Sequence, residues 1–302
     1  MKRFLLLIAL LIALASCTEP EQSANTKLVC TTGMLADACA QLLSGLDSIE
    51  LTTLMGPGTD PHLYKASQSD VMALSRADLI IYNGLHLEGK MTDLFSKLPE
   101  QKVYAAAERI PEEYLINASD YVQAYDPHVW FDLKLWSIMV DSLAYRLKGL
   151  IPSHSSQIEE NRLGLLKNFA QLDSWARNKL SEIPESQRVL VTAHDAFKYF
   201  GLAYNVEVRG LQGISTTAEF GVGDVSALAS FIAERKIKAV FVENSIDPRS
   251  IEAVIEAVEA RGSKLKMGGE LYSDALGSKD GPAATFEGMF KTNVQTISSA
   301  LY

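Results

Sequence analysis

The chain holds five histidines and three cysteines in 302 residues, so chemistry that needs an imidazole or a thiolate has few residues to draw on. Three of the histidines stand where a strand-like run meets a loop. His62 closes Gly56-Pro57-Gly58-Thr59-Asp60-Pro61-His62, whose glycines and prolines set a tight turn rather than a helix. His128 lies in Asp126-Pro127-His128-Val129-Trp130-Phe131-Asp132, just before a helical pattern, and His194 directly follows Val189-Leu190-Val191-Thr192-Ala193. Asp-Pro-His thus occurs twice. Proline fixes its own φ and holds the preceding residue extended, so both imidazoles are presented on stiff backbone, which suits a site that must bind with little reordering. Neutral imidazole ligates zinc, manganese, iron and copper, and a carboxylate completes such a shell. If the ion bridges two halves of the chain, the carboxylate comes from the second. Asp274, in Glu270-Leu271-Tyr272-Ser273-Asp274-Ala275-Leu276-Gly277, stands just past the last strand-like run and fits. His62, His128, His194 and Asp274 are therefore the candidate ligands of one divalent ion. Asp60 and Asp126 are candidates for orienting the rings or their loops from behind. A single histidine of this kind is more often structural; the joint placement of three carries the reading.

The elements that must position these residues form an α/β pattern. Strand-like runs at Leu28–Thr32, Glu50–Met55, Leu79–Tyr82 and Lys102–Ala105 alternate with helical patterns near 34–45, 67–77 and 88–97, with another helix at 131–149. Later come runs at Val189–Ala193, Val206–Leu211, Ala239–Val242 and Leu265–Met267, with helices near 195–203, 222–235, 248–261 and 285–301. This alternation predicts two lobes, each a roughly four-stranded parallel sheet with flanking helices and each large enough to bury its own core. Between them, Ser156 to Ser181 carries an apolar stripe of Ile158, Leu165, Phe169, Leu172 and Ala176, with a capping-box pattern at Ser156 and Glu159. One long α-helix of roughly 40 Å joins the lobes. With no Gly/Ser hinge there, only limited rigid-body motion is expected. The expected division is a first lobe at 27–153, the linking helix at 154–183 and a second lobe at 184–302. Ligands of open α/β sheets gather at the carboxyl ends of strands, so the cleft between lobes is where the candidate residues should meet.

Composition narrows the function classes. The chain is 47% hydrophobic and 22% charged, with a formal net charge of −9, and beyond the N-terminus no long Lys/Arg block appears. That excludes nucleic acid as a partner and is compatible with gathering cations. Lys2 and Arg3 precede the apolar run Phe4–Ala15, too short to cross about 30 Å of hydrocarbon, so residues 1–16 read as an export signal. Its end, Leu14-Ala15-Ser16-Cys17, resembles the lipobox of bacterial lipoproteins. Cleavage would leave Cys17 as a lipidated terminus, with 17–26 as a polar tether, and the chain exported and membrane-anchored, facing the periplasm or the cell exterior. Cys30 and Cys39 form no CxxC motif and read as buried small residues or as one disulfide.

Taken in order, the lipobox, GTDPHLYK (58–65), YNGLHLEG (82–89), DPHVWFD (126–132), AHDAFKYF (193–200), GISTTAEFGVGDV (213–225), FVENSIDPRSIE (241–252) and LYSDALG (271–277) resemble the metal-binding lipoproteins of ABC importers for zinc, manganese or iron, the cluster A-I receptors. The resemblance covers nearly the whole mature chain. It implies an ion held between lobes by His62, His128, His194 and Asp274, and delivery to an ABC permease by a protein expected to be a monomer. His86 falls on a family position that is not a ligand. Glu219 and Glu243 fall where family members carry acids and join Asp60 and Asp126 as candidates for the surrounding shell. Trp130, Phe131, Phe197, Tyr199 and Phe200 flank the ligands and are expected to pack the cleft walls. His194 stands where manganese-specific members often carry glutamate, and the His- and acid-rich loop of many zinc members is missing from 66–127. The cargo is thus expected to be zinc or manganese, with iron as a further possibility; some members of the family are also credited with adhesion. The alternative is a lipid-anchored metal-dependent hydrolase using metal-bound water. Catalytic zinc keeps an open position, whereas four protein ligands close a tetrahedral site, and HExxH, GxSxG and P-loop motifs are absent. The expectation is a receptor, not an enzyme.

Overall fold

The computed structural model describes residues 25–118 and 124–302; the export signal, Cys17 and the tether as far as residue 24 lie outside the described residues. Four short apolar runs build the first sheet: β1 (Thr26–Cys30), β2 (Ile49–Thr53), β3 (Leu79–Tyr82) and β4 (Val103–Ala105), all parallel in the order β2-β1-β3-β4. Helix α1 (Gly33–Leu42) connects β1 to β2, and α2 (Gln68–Arg76) connects β2 to β3 behind a capping box in which Ser67 and Asp70 exchange hydrogen bonds. The helix expected at 88–97 is a 3-10 turn, Gly89–Met91, followed by one α-turn, α3 (Thr92–Phe95). The reason lies in Glu88, whose buried carboxylate accepts from Thr31 Oγ1 and from the N–H groups of Asn83 and Gly84. It thereby clamps Gly84, Leu85 and His86, all at positive φ, and the chain leaves this left-handed stretch too late to build a longer helix. Helix α4 (Leu133–Leu150) is capped by Asp132, which accepts from the Lys134 N–H.

Helix α5 (Ser155–Ser181) is the expected link, and its buried stripe runs through Ile158, Leu165, Phe169, Leu172, Ala176 and Leu180. The capping box expected at Ser156 and Glu159 does not form, because the helix begins at Ser155 after a 3-10 turn and no side chain caps it. Glu159 is taken instead by Lys148 and Arg162, 2.6 Å from each, which ties α5 to α4.

The second lobe contains β5 (Val189–His194), β6 (Glu207–Gln212), β7 (Ala239–Glu243) and β8 (Lys266–Leu271), with helices α6 (Lys198–Tyr204), α7 (Val222–Arg235), α8 (Arg249–Glu259) and α9 (Phe286–Leu301). Its strands are all parallel, but the hydrogen bonds divide them into two pairs, β5-β6 and β7-β8, rather than one four-stranded ladder. Strands β5 and β7 lie side by side, and at their carboxyl ends the His194 N–H goes to the Glu243 carboxylate, 2.9 Å away, instead of to a neighbouring strand. Strand β8 continues past the glycines at which the sequence pattern ended it, because Glu270 and Leu271 still pair with Val242 and Glu243.

Beside the separate lobe cores that the sequence predicts, the lobes share a larger one that it does not. The largest apolar cluster joins β1, α1 and α4 of the first lobe to α5 and to α6 and α9 of the second. Phe286 at the start of α9 stacks on Trp136 of α4 at 4.5 Å and meets Phe169 of α5 edge-on at 5.7 Å. Each lobe also has a smaller cluster of its own, around Val29, Leu74, Ile80 and Phe95 in the first and under α7 and α8 in the second.

Candidate metal centre

The two Asp-Pro-His segments fold into the same local turn. In each, the aspartate reaches forward two residues to accept the histidine N–H: Asp60 Oδ1 from His62 at 2.8 Å, and Asp126 Oδ1 from His128 at 3.0 Å. Such a turn follows from a short carboxylate followed by a proline that cannot itself donate. The two aspartates then diverge. Asp126 also accepts from His128 Nδ1 at 2.7 Å, directing Nε2 inward, whereas Asp60 turns its second oxygen to Thr216 Oγ1 of the other lobe at 2.6 Å. His194 is the last residue of β5 rather than the first of a loop, and its Nδ1 lies 2.7 Å from Glu243 Oε2. Strand β6 passes so near that a Cβ on Gly210 would lie 2.6 Å from the Asp195 nitrogen; only glycine fits beside this strand end.

Asp274, beyond β8, completes the group. Its oxygens lie 3.6 Å from His62 Nε2, 3.5 Å from His128 Nε2 and 3.3 Å from His194 Nε2, and the first two Nε2 atoms are 3.3 Å apart. All four donor atoms lie within 4.8 Å of one another. For bonds of about 2.0–2.2 Å, the edge of a tetrahedron is roughly 3.3–3.6 Å, so these spacings are those of atoms able to share one ion. The residues are between 0% and 3% exposed. Both Asp274 oxygens and His194 Nε2 are buried with no hydrogen-bond partner, a costly state for polar atoms unless a cation takes them up. With Asp126 and Glu243 behind the rings, three carboxylates are buried together, and that charge favours a dication.

Electrostatics reinforce the geometry. Burial alone would raise Asp274, but the three surrounding imidazoles hold its carboxyl well below the usual carboxylate range. Burial pushes His62 down to about 3 against the attraction of Asp274, with His128 and His194 adding to the fall, so it stays neutral. Burial also opposes charge on His194, yet the carboxylates of Glu243 and Asp274 prevail and lift it well above 6.5. The signs for the metal-free fold then differ. His62 binds a proton in the unfolded chain but not in the folded one between about 3 and 6.5, so it weakens the fold as pH drops through that window. His194 stabilises below about 6.5, and its contribution is lost as pH rises through the elevated folded value. A cation at His194 Nε2 must displace that proton. Calorimetric titration at pH 7 in buffers of different ionisation enthalpy is expected to show release of about one proton per ion; an enthalpy independent of buffer would contradict this protonation pattern.

Of the other sequence candidates, Glu219 does not join the group: it is exposed in the loop between β6 and α7, where no sheet holds it toward the cleft. Its near neighbour Thr216 makes the cross-lobe contact instead. His86 is exposed and lines a cavity of about 570 Å³ in the first lobe that contains none of the four residues. His154 immediately precedes α5. The aromatics lie behind the histidines rather than along an open cleft: Phe131 stacks on Phe197 at 4.3 Å, and Tyr199 Oη donates to the Asp126 carbonyl. Trp130 does more than pack, since its indole N–H donates to the Ser273 carbonyl at 3.0 Å and steadies the Asp274 loop from the first lobe. Asn244 steadies the same loop by donating to the carbonyls of Ala275 and Leu276. Sequence reading missed Thr216 and Asn244, because a loop hydroxyl or amide carries no distinguishing pattern. No described helix is long and apolar enough to cross a membrane.

Two parallel-sheet lobes joined by one long helix, with a buried His/Asp group between them, define a metal-receptor class of α/β protein. Comparison with known proteins bears this out. Residues 28–300 match the model of the family described as zinc-uptake complex component A, periplasmic (ZnuA), and the chain belongs to that family. It is 46% identical over 276 residues to the manganese-binding lipoprotein MntA of Bacillus subtilis, covering 91% of this chain and 89% of the relative. It is 45% identical over 275 residues to the zinc-binding protein TroA of Treponema pallidum, covering 91% and 88% of the two chains. The solved TroA structure aligns with a TM-score of 0.89 over 92% of this chain and 99% of that one, at 44% identity. A third relative, the metal ABC transporter substrate-binding lipoprotein ScbA of Streptococcus cristatus, is 29% identical over 312 residues, covering 99% of this chain and 98% of its own. The family is one of solute receptors rather than enzymes, and the hydrolase alternative finds no support.

Proposed function

We propose that this chain captures one divalent transition-metal ion, zinc or manganese, between its lobes through His62, His128, His194 and Asp274 and delivers it to an ABC permease outside the cytoplasmic membrane. The observation that carries the reading is the convergence of four buried donor atoms from two lobes at spacings one ion can bridge. Asp126 and Glu243 act from behind, fixing which ring nitrogen of His128 and His194 faces the ion. In this reading the chain is a monomer anchored by lipid at Cys17, with 27–153 and 184–302 as the lobes. Relatives named for manganese and for zinc are almost equally similar to it, and three imidazoles with one carboxylate accept either ion.

The test is a titration of metal-stripped protein with zinc and with manganese, followed by metal analysis of protein taken from its native host. One equivalent bound, with a melting temperature that climbs with free metal as native-state linkage requires, is the expected result. Absence of stoichiometric binding of either ion would refute the assignment. Zinc will bind more tightly in vitro on ligand chemistry alone, so the host's metal content identifies the cargo.

A further inference from the structure

We propose that Cys30 and Cys39 are joined by a disulfide in the mature protein. Cys30 ends β1 and Cys39 lies on α1, and the turn Thr31-Thr32-Gly33 folds the helix back so that the two Sγ atoms sit 3.5 Å apart. That is van der Waals contact. Closure to the roughly 2.05 Å of a disulfide brings the two sulfurs about 1.5 Å nearer. Both residues are 0% exposed and neither belongs to the His/Asp group, so the pair is part of the core. Among the described residues there is no other cysteine to compete. The inference rests on the extracytoplasmic location proposed above, since such compartments favour disulfides.

The chemistry balances as a thiol–disulfide exchange. One cysteine, as thiolate, attacks an organic disulfide supplied by an extracytoplasmic thiol oxidase or a small disulfide, giving a mixed disulfide and releasing one thiol of the carrier. The second cysteine then attacks the sulfur of the first and releases the other. Two protein thiols are oxidised by two electrons, and the carrier disulfide is reduced to two thiols. Burial raises the Cys30 thiol and shuts out any carrier once the fold is complete, so the bond forms while the β1–α1 unit is still open and is afterwards sheltered from reductant. What it pins is the turn beneath the cleft. Thr31 holds Glu88 through its hydroxyl, and Gly33 lies against Leu276, whose Cγ would be 3.3 Å from a Cβ there.

The experiment uses the mature chain with Cys17→Ala, leaving two thiols, refolded in a mixture of reduced and oxidised glutathione. It is then alkylated in guanidinium without reductant and weighed intact. The expected product takes up no alkyl group until it is unfolded and reduced, and then takes up two. It should melt roughly 4–8 °C above the same chain refolded fully reduced, and a Cys39→Ala variant should show no difference between the two conditions. Two alkyl groups without reduction, a glutathione adduct in place of the internal bond, or an oxidised form that melts lower would each overturn the proposal. Because this refolding does not depend on export, a failed pairing is distinguishable from a failed assignment of location.

Discussion

Replacing Asp274 by alanine is expected to weaken zinc or manganese binding by about 10²–10³-fold while leaving the metal-free fold intact. A four-ligand protein site is worth about 10–16 kcal/mol in total, so one ligand accounts for roughly 3–4 kcal/mol, and each 1.4 kcal/mol is tenfold in affinity. Asp274 is the one member of the group that lies against all three histidines and the one carboxylate among the four. Its removal also relieves two buried, unpartnered oxygens, and this offsets the lost attraction to His194. The metal-free melting temperature should therefore move little, and the rise on adding metal should vanish at concentrations that saturate the parent. Competition against a chromophoric chelator gives the affinity and a thermal scan gives the stability. Glu219→Gln, on an exposed loop away from the group, is the control and should bind as the parent does. An Asp274→Ala protein with unaltered affinity would show that the ion sits elsewhere.

Phe286→Ala should cost about 3–5 kcal/mol of stability, the usual range for truncating a fully packed aromatic. Its ring is 1% exposed and meets Trp136 of α4, Phe169 of α5 and Phe290 of α9. Its own N–H donates to Asp37 of α1 at 3.1 Å. The side chain thus joins the second lobe's last helix to α4 and α5, while its backbone ties it to α1. In a chain of this size the loss corresponds to roughly 5–15 °C in melting temperature, with metal affinity changed by no more than a few-fold because the four ligands stand on other elements. Chemical denaturation with and without metal measures both. A loss under about 1 kcal/mol would mean that the core across the lobes is not what holds them together.

Much of this architecture is legible in the chain itself. Strand runs such as Leu79–Tyr82 and the stripe on α5 follow from periodicity, and the His/Asp candidates follow from their positions at strand ends. Other features are not legible because they depend on competition between partners. Ser156 and Glu159 have the pattern of a capping box, but Lys148 and Arg162 bring a stronger, charge-assisted partner to Glu159 than a backbone N–H offers. Glu88 looks like the first residue of a helix, yet three buried donors turn its carboxylate inward. Glu219 and Thr216 occupy the same loop with equal claim in sequence, and only the fold places the hydroxyl against Asp60.

By itself the sequence determined most of the elements, the four candidate residues and the local turns that present two of them, because propensity, periodicity and Asp-Pro-His stiffness act within a few residues. Tertiary structure decided that those side chains lie within reach of one ion, that Asp126 and Glu243 rather than Glu219 stand behind the rings, that the two lobes share their largest core, and that two cysteines meet. Each of these depends on groups far apart in the chain. The energies involved, burial without water and charge without screening, arise only when packing brings such groups together.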